Sequence, residues 1–151
     1  VIMEPFQRLI MPKPGFLEGV RAATARHGIP LVFDEIVTGF RFAYGGAQEH
    51  FGVVPDLCAL GKILGGGFPL AAVAGREEIM RHFDRAKVAE AQFAQQTGTL
   101  SGNPIAAEAG LATLEVLKEP GIYPGVEASG RALMKAKSNA SASELSKGDC
   151  Q

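Results

Sequence analysis

A lysine and an aspartate, Lys62 and Asp34, each follow a short apolar segment of the chain. Lys62 lies between residues 57–60 and the glycine run 65–67, and Asp34 follows residues 30–33. Glycine lets the backbone approach a ligand closely. A lysine amine can form a Schiff base with an aldehyde cofactor, and a carboxylate can hold the cofactor's pyridine nitrogen protonated. Two other interpretations stay open, a surface lysine before a flexible loop and a solvated or helix-capping aspartate.

The segments around these residues alternate between strand and helix patterns. The predicted strands are residues 1–3, 30–33, 57–60 and 70–75, and the predicted helices are 16–27, 47–51, 77–83, 105–118 and 124–136. A strand, a helix and a strand in succession form a βαβ unit, which implies a parallel sheet. In such sheets the ligand crevice lies outside the carboxyl ends of the strands. We therefore predict an α/β fold that brings Asp34 and Lys62 to one edge of the sheet.

The composition lends no support to several common classes of binding partner. The chain has 151 residues, a hydrophobic content of 46% and a net charge of −1. This balance gives no argument for a nucleic-acid or membrane partner. Cys58 and Cys150 fit neither a disulfide framework nor a zinc spacing, and we expect a reducing, cytoplasmic compartment without a bound metal. No apolar run approaches the ~20 residues of a membrane span.

Two common phosphate-binding motifs are absent from the glycine-rich stretch. Lys62 precedes the glycines, whereas the lysine of a P-loop follows them. No G-x-G-x-x-G sequence occurs, so a dinucleotide site of the Rossmann type has no support. A phosphate-binding α/β protein of another kind is left as the weaker alternative. The loop over residues 95–104 is polar and rich in hydrogen-bond donors.

Four motifs in this order resemble one known family. They are Phe33-Asp34-Glu35-Ile36-Val37-Thr38-Gly39-Phe40-Arg41, Pro55-Asp56, Gly61-Lys62 with Gly65-Gly66-Gly67-Phe68-Pro69, and Gly98-Thr99-Leu100-Ser101-Gly102-Asn103-Pro104. Together they resemble the class III pyridoxal-phosphate-dependent aminotransferases, and most of all the branch of the glutamate-1-semialdehyde 2,1-aminomutases. The resemblance covers residues 1–135 and implies part of the large domain of fold type I. We predict that residues 136–151 form a divergent, disordered tail.

The resemblance assigns roles to individual residues. It implies that Lys62 forms the Schiff base with pyridoxal 5'-phosphate and shuttles protons, and that Asp34 binds the pyridine nitrogen. It places Ile36 against the ring face. It makes Thr99 a donor to the cofactor phosphate, often in the neighbouring subunit, with help from the backbone of Gly98.

Four further residues complete the comparison with the family. The position beside Asp34 favours a structural role for Glu35, and Arg41 is a candidate contact to substrate or loop. Val37 stands where many members have a glutamine that bonds the cofactor's phenolic oxygen, and the aminomutase branch shares an apolar residue there. Arg8-Leu9 replace a glycine and an acidic residue of the family's Glu-Pro loop. This replacement argues against classical glutamate-dependent transamination.

The resemblance implies amino-group transfer on a small amino acid or amine, and it leaves open whether the reaction is an aminotransferase or an intramolecular aminomutase reaction. Family members are longer, and they supply a phosphate-cradling turn, a ring-stacking aromatic residue and a small C-terminal domain. We therefore expect a fragment of a homodimeric parent enzyme. The chain alone should bind cofactor weakly and turn over little. The alternative is a truncated, inactive remnant that acts at most as a binding module.

Overall fold

Four short strands form one sheet in the computed structural model, which describes residues 1–7 and 10–148. In both chain and spatial order they are β1 (Ile2–Met3), β2 (Val32–Glu35), β3 (Leu57–Leu60) and β4 (Ala72–Gly75). β1, β2 and β3 pair in parallel, whereas β4 runs antiparallel to β3. The predicted α/β fold with a mostly parallel sheet is confirmed. β4 is reversed because the connection from β3 holds only a short 3-10 helix and a turn, too little for a parallel crossover.

Helices occupy most of the predicted positions. The α-helices of the described residues are α1 (Phe16–Arg26), α2 (Gly46–Phe51), α3 (Glu77–Met80), α4 (Pro104–Leu117) and α5 (Ile122–Gly148). A 3-10 turn over Arg81–Phe83 continues α3, so the helical prediction for 77–83 is confirmed. α1 connects β1 to β2 and completes the predicted βαβ unit.

An apolar core lies between α1 and one face of the sheet. Its buried members are Leu17, Leu31, Phe33, Val53 and Cys58. Phe33 and Cys58 are register partners in β2 and β3, so their side chains point to the same face. Burial of one such side chain contributes roughly 1.5–3 kcal/mol. Burial also raises the pKa of the Cys58 thiol, which packs here as a small apolar side chain.

Asp56 fixes the register between β2 and β3. It lies near the starts of these strands, at the end of the sheet opposite to Lys62. Its carboxylate is 5% exposed and accepts hydrogen bonds from Leu31 N at 2.8 Å, Arg21 Nη1 at 2.8 Å and Arg76 Nη1 at 3.0 Å. Burial alone would raise the pKa of Asp56, but these donors outweigh it and lower the pKa to about 2. The carboxylate therefore stays charged and ties α1 and the residues flanking β2, β3 and β4 together.

α4 packs through its small residues on the turn that begins at Lys62. Ala106 and Gly110 are its buried residues. A Cβ atom at Gly110 would lie 2.9 Å from the carbonyl oxygen of Leu64. The larger side chains point elsewhere, and Ile105 is 65% and Val116 49% exposed. Close contact with a backbone turn thus selects the helix face without large side chains.

Among the described residues, 117–148 form a second compact unit, which contains α5. α5 begins near the predicted position but continues to Gly148, past the predicted end at Ala136. Residues 149–151 of the predicted tail lie outside the described residues, and the proposed boundary after residue 135 stays a prediction. In the part of the chain that the structure describes, no helix is long and apolar enough to cross a membrane.

Candidate active site

Asp34 and Lys62 lie at the carboxyl ends of neighbouring parallel strands. Asp34 is the third residue of β2 and pairs with Ala59 of β3. β3 ends at Leu60, and Gly61 then leads into a 3-10 helix over Lys62–Gly65. Both charged residues therefore lie at the edge of the sheet where the sequence places them.

Lys62 has an unusual backbone conformation. Its φ of +47° lies in the left-handed region that residues other than glycine seldom adopt. The side chain is exposed, and no hydrogen bond or ion pair joins its amine to any described residue. Hydrogen bonds from Leu64 N to Gly61 O and from Gly66 N to Ile63 O hold the turn. The backbone of Lys62 is thus fixed while its amine remains available for covalent chemistry.

Asp34 retains one carboxylate oxygen for a ligand. The residue is half-buried, and its Oδ1 accepts a hydrogen bond from the backbone N–H of Ile36 at 3.1 Å. Within the described residues nothing donates to Oδ2. The backbone contact orients the carboxylate, and the other oxygen can accept a hydrogen bond from a protonated ring nitrogen.

Ile36 lies beside the segment that carries Lys62. A Cβ atom at Gly61 would lie 3.4 Å from Ile36 Cγ2, so the Ile36 side chain lies close to the backbone of Gly61. Ile36 is 36% exposed. Ile36, two residues after Asp34, therefore presents an exposed apolar side chain beside the residue that precedes Lys62.

Glu35 points to the opposite face of the sheet. It is fully buried, and its carboxylate accepts hydrogen bonds from Thr38 Oγ1 at 3.0 Å, Ala47 N at 2.5 Å and Gln48 Nε2 at 3.0 Å. The backbone N–H of Gln48 donates to it as well, at 3.3 Å. These contacts support the structural role expected for Glu35.

The structure does not bring Thr99 to the other candidate residues. Gly98 and Thr99 are exposed in the loop before α4, and no hydrogen bond among the described residues joins Thr99 to Asp34 or Lys62. Ser101 N donates to Gly98 O at 3.0 Å, and Asn103 Oδ1 caps the start of α4. The roles of Gly98 and Thr99 at the phosphate stay predictions.

Arg41 and the Glu-Pro loop add little to the site. Arg41 Nε donates to the carbonyl of Val37 at 2.8 Å, which makes it a loop contact. The replacement of the family's glycine and acidic residue falls on Arg8 and Leu9, outside the described residues.

A cavity of about 730 Å³ lies against β3 and β4, lined by residues that include Phe40, Leu57 and Ala74. Asp34 and Lys62 do not line it, and its wall is mostly apolar.

The groups at the strand edge fit an aldehyde cofactor with a pyridine ring. The amine of Lys62 has no partner among the described residues, Asp34 has a free acceptor, and Ile36 provides an apolar surface. Three supporting features were not predicted from the sequence. They are the left-handed backbone of Lys62, the three hydrogen bonds to the Asp56 carboxylate and the close packing of α4. Gly110 in the middle of a helix was a usable signal for the last of these.

Comparison with known proteins agrees with the geometry. The family model for class III aminotransferases matches residues 1–147. A glutamate-1-semialdehyde 2,1-aminomutase of Pelotomaculum thermopropionicum is 55% identical over 139 residues, which are 90% of this chain and 31% of that protein. One of Syntrophobacter fumaroxidans is 53% identical over 130 residues, 84% of this chain and 29% of that protein. The chain thus spans less than a third of the length of these relatives.

Solved structures show the same similarity. An omega-transaminase from Sphaerobacter thermophilus superposes with a TM-score of 0.71 at 41% identity, over 78% of this chain and 27% of that chain. A transaminase with PLP bound gives a TM-score of 0.70 at 29% identity, over 80% of this chain and 28% of that chain. The family match over almost the whole sequence and these relatives show that the chain belongs to the class III aminotransferases.

Proposed function

We propose that this chain is the cofactor-anchoring part of a pyridoxal-phosphate-dependent enzyme that moves amino groups. The observation that carries the proposal is the partner-free amine of Lys62 at the same strand edge as the open carboxylate oxygen of Asp34. Relatives named as aminomutases and a neighbour with PLP bound support it. When bound, the cofactor would supply an electron sink for a carbanion next to the substrate amine.

The residues of the chain divide the work by their chemistry. Lys62 Nζ would anchor the cofactor, and as a free amine it would accept and donate a proton. Asp34 Oδ2 keeps the ring nitrogen protonated because a carboxylate beside a cation favours the charged form. Ile36 packs against the ring face, while Thr99 and the amide of Gly98 donate to the phosphate. Val37 offers no donor where other members carry glutamine.

Reductive trapping tests the anchor directly. The protein is incubated with pyridoxal phosphate, reduced with borohydride and mapped by peptide mass spectrometry. We expect the label on the peptide that contains Lys62, its loss in Lys62→Ala and its retention in Lys13→Ala, which removes an exposed lysine. Label spread evenly over several lysines, or no label at all, would contradict the proposal and favour an inactive remnant.

We further propose that the parent enzyme transfers the amino group within one substrate. Three relatives that are more than half identical to this chain carry the aminomutase name, and Val37 is compatible with that branch. An amino-acid semialdehyde supplied without any keto acid should then be converted. If turnover requires an added keto acid, the reaction is instead the intermolecular transfer named for the omega-transaminase neighbour.

A homodimer with shared sites is proposed for the parent enzyme. Thr99 is exposed and forms no hydrogen bond to Asp34 or Lys62 among the described residues, which suits a donor to the neighbouring subunit. A mixed dimer of one Lys62→Ala and one Thr99→Val subunit tests this. If Thr99 serves the neighbour, one site of the two keeps both residues and activity returns. If it serves its own subunit, both sites lack one residue and the mixed dimer stays inactive.

A further inference from the structure

Glu35 is a buried carboxylate for which the proposed reaction has no use. It is 0% exposed, and no described lysine, arginine or histidine forms an ion pair with it. Removing an unpaired charge from water is costly unless hydrogen bonds replace the water. Four donors do so here, from Thr38, Ala47 and Gln48. Two of them are backbone N–H groups in the first turn of α2, where the helix dipole also favours a negative charge.

The same carboxylate controls the chain segment that carries Ile36. Thr38 Oγ1 donates to Glu35 Oε2, and Gly39 N donates to the carbonyl of Glu35 at 2.8 Å. These two contacts close a turn of which Ile36 is the second residue. On the other side, Ile36 N donates to Asp34 Oδ1. A displacement of Glu35 therefore changes both the position of Ile36 and the hydrogen bond that orients Asp34.

Close packing leaves this turn little freedom to adjust. A Cβ atom at Gly46 would lie 2.5 Å from Glu35 Oε2 and 3.2 Å from Gly39 Cα. Gly46 also has a φ of +73°, which suits glycine. The start of α2 is thus pressed against the turn, with the carboxylate between them.

We propose that Glu35 is a positioning residue that fixes the ring-facing side chain of Ile36 and the open oxygen of Asp34 by tying the turn over residues 35–39 to the start of α2. This inference rests on the proposed function, because the ring contact matters only where a cofactor binds. Glu35 touches neither substrate nor cofactor; it acts through Ile36 and Asp34.

Glu35→Gln is compared with Glu49→Gln. Glu49 belongs to the same region and also accepts a backbone N–H, from Gly45, but it is exposed. In Glu35→Gln an NH2 group replaces one of the two acceptor oxygens. This group cannot accept a hydrogen bond from the donors that face it. Thr38→Val is the milder variant, since it keeps the shape of the side chain and removes one donor of four.

The first measurement needs no cofactor. Hydrogen exchange of the Ile36 amide reports its bond to Asp34, and we expect it to accelerate about fivefold in Glu35→Gln, the factor for the loss of one ordinary hydrogen bond. Thr38→Val should show the same direction with a smaller factor, and Glu49→Gln no change. Unchanged exchange of Ile36 in both Glu35→Gln and Thr38→Val would overturn the proposal, whatever their thermal stability.

The second measurement follows the bound cofactor. After saturation with pyridoxal phosphate, the visible circular dichroism per bound cofactor should fall in Glu35→Gln while borohydride labelling of Lys62 persists. A purely structural role would lower the melting temperature and leave this signal per bound cofactor unchanged, which would overturn the inference. If wild-type protein takes no label at Lys62, the proposed function fails, and the exchange of Ile36 still decides the role of Glu35 in the turn.

Discussion

Replacing Gly110 by alanine should destabilise the protein, although alanine is the better helix former. Gly110 lies in the interior of α4 and is buried against the turn that follows Lys62. A methyl group there would lie 2.6 Å from Leu70 Cδ2 and 2.9 Å from the carbonyl oxygen of Leu64. The Leu70 side chain can move, but the Leu64 carbonyl belongs to the backbone of the 3-10 helix. The new methyl group therefore pushes the helix away from the turn that presents Lys62.

The magnitude follows from a comparison with Gly19→Ala. Gly19 lies inside α1, and no atom is within 4 Å of the position that its Cβ would take. In both variants the helix gains about 0.5–1 kcal/mol from the loss of a glycine. Only Gly110→Ala adds an overpacked contact, which costs about 1–3 kcal/mol. Because the helix contribution is common to both variants, we expect Gly110→Ala to be less stable than Gly19→Ala by about 1–3 kcal/mol.

Urea unfolding followed by far-ultraviolet circular dichroism measures this difference. Gly19→Ala should raise the midpoint relative to the wild type, and Gly110→Ala should fall below Gly19→Ala at an unchanged slope. If the unfolding free energies of the two variants agree within about 0.5 kcal/mol, the usual error between independent sites, the new methyl group meets no resistance. In that case α4 does not press on the turn. The packing that fixes Lys62 would then have to come from elsewhere.

Three further predictions concern single groups. The pKa of Asp56 is lowered from 3.8 to about 2. Its ionised form therefore adds about 2 kcal/mol to the free energy of unfolding. This contribution is complete above about pH 4 and is lost as the pH falls through about 2. Acid titration of unfolding should show a shallower pH dependence in Asp56→Asn, whereas Glu78→Gln, at an exposed partner of Arg76, should change the slope less because solvent screens that pair. Lys62→Gly should be more stable than Lys62→Ala by about 1 kcal/mol, since glycine relieves the left-handed φ; equal stabilities would show that the turn carries no strain. Asn103→Ala should cost about 1 kcal/mol because Asn103 Oδ1 caps α4, and a thermal melt at the wild-type temperature would contradict this.

The sheet and the edge at which the site lies could be predicted because they depend on local patterns. Short apolar runs bounded by glycine or proline define β2 and β3, and the helix between β1 and β2 implies that those strands are parallel. Once the strands are parallel, Asp34 and Lys62 must lie at the same edge. The direction of β4 needed one further fact, that its connection to β3 contains no crossover helix.

Contacts between distant segments could not be predicted. The apolar pattern of α4 is compatible with burial of more than one helix face. The face that is buried is the one that packs on the turn after Lys62, far earlier in the chain. Asp56 appears in the sequence only as part of a Pro-Asp dipeptide, yet it joins Arg21 of α1 to Leu31 before β2 and Arg76 after β4. The φ of Lys62 depends on the packing of the whole turn, which residue type alone does not reveal.

Three buried or half-buried acidic residues near the strands differ in how many donors they have. Glu35 has four donors and Asp56 has three, two of them arginine guanidinium groups. Asp34 receives one hydrogen bond from the described residues, at one oxygen. A carboxylate with all its acceptors occupied stabilises the fold, and one with an open oxygen can bind a ligand. The sequence places Asp34 and Glu35 side by side, and the structure separates their roles because alternate residues of a strand point to opposite faces.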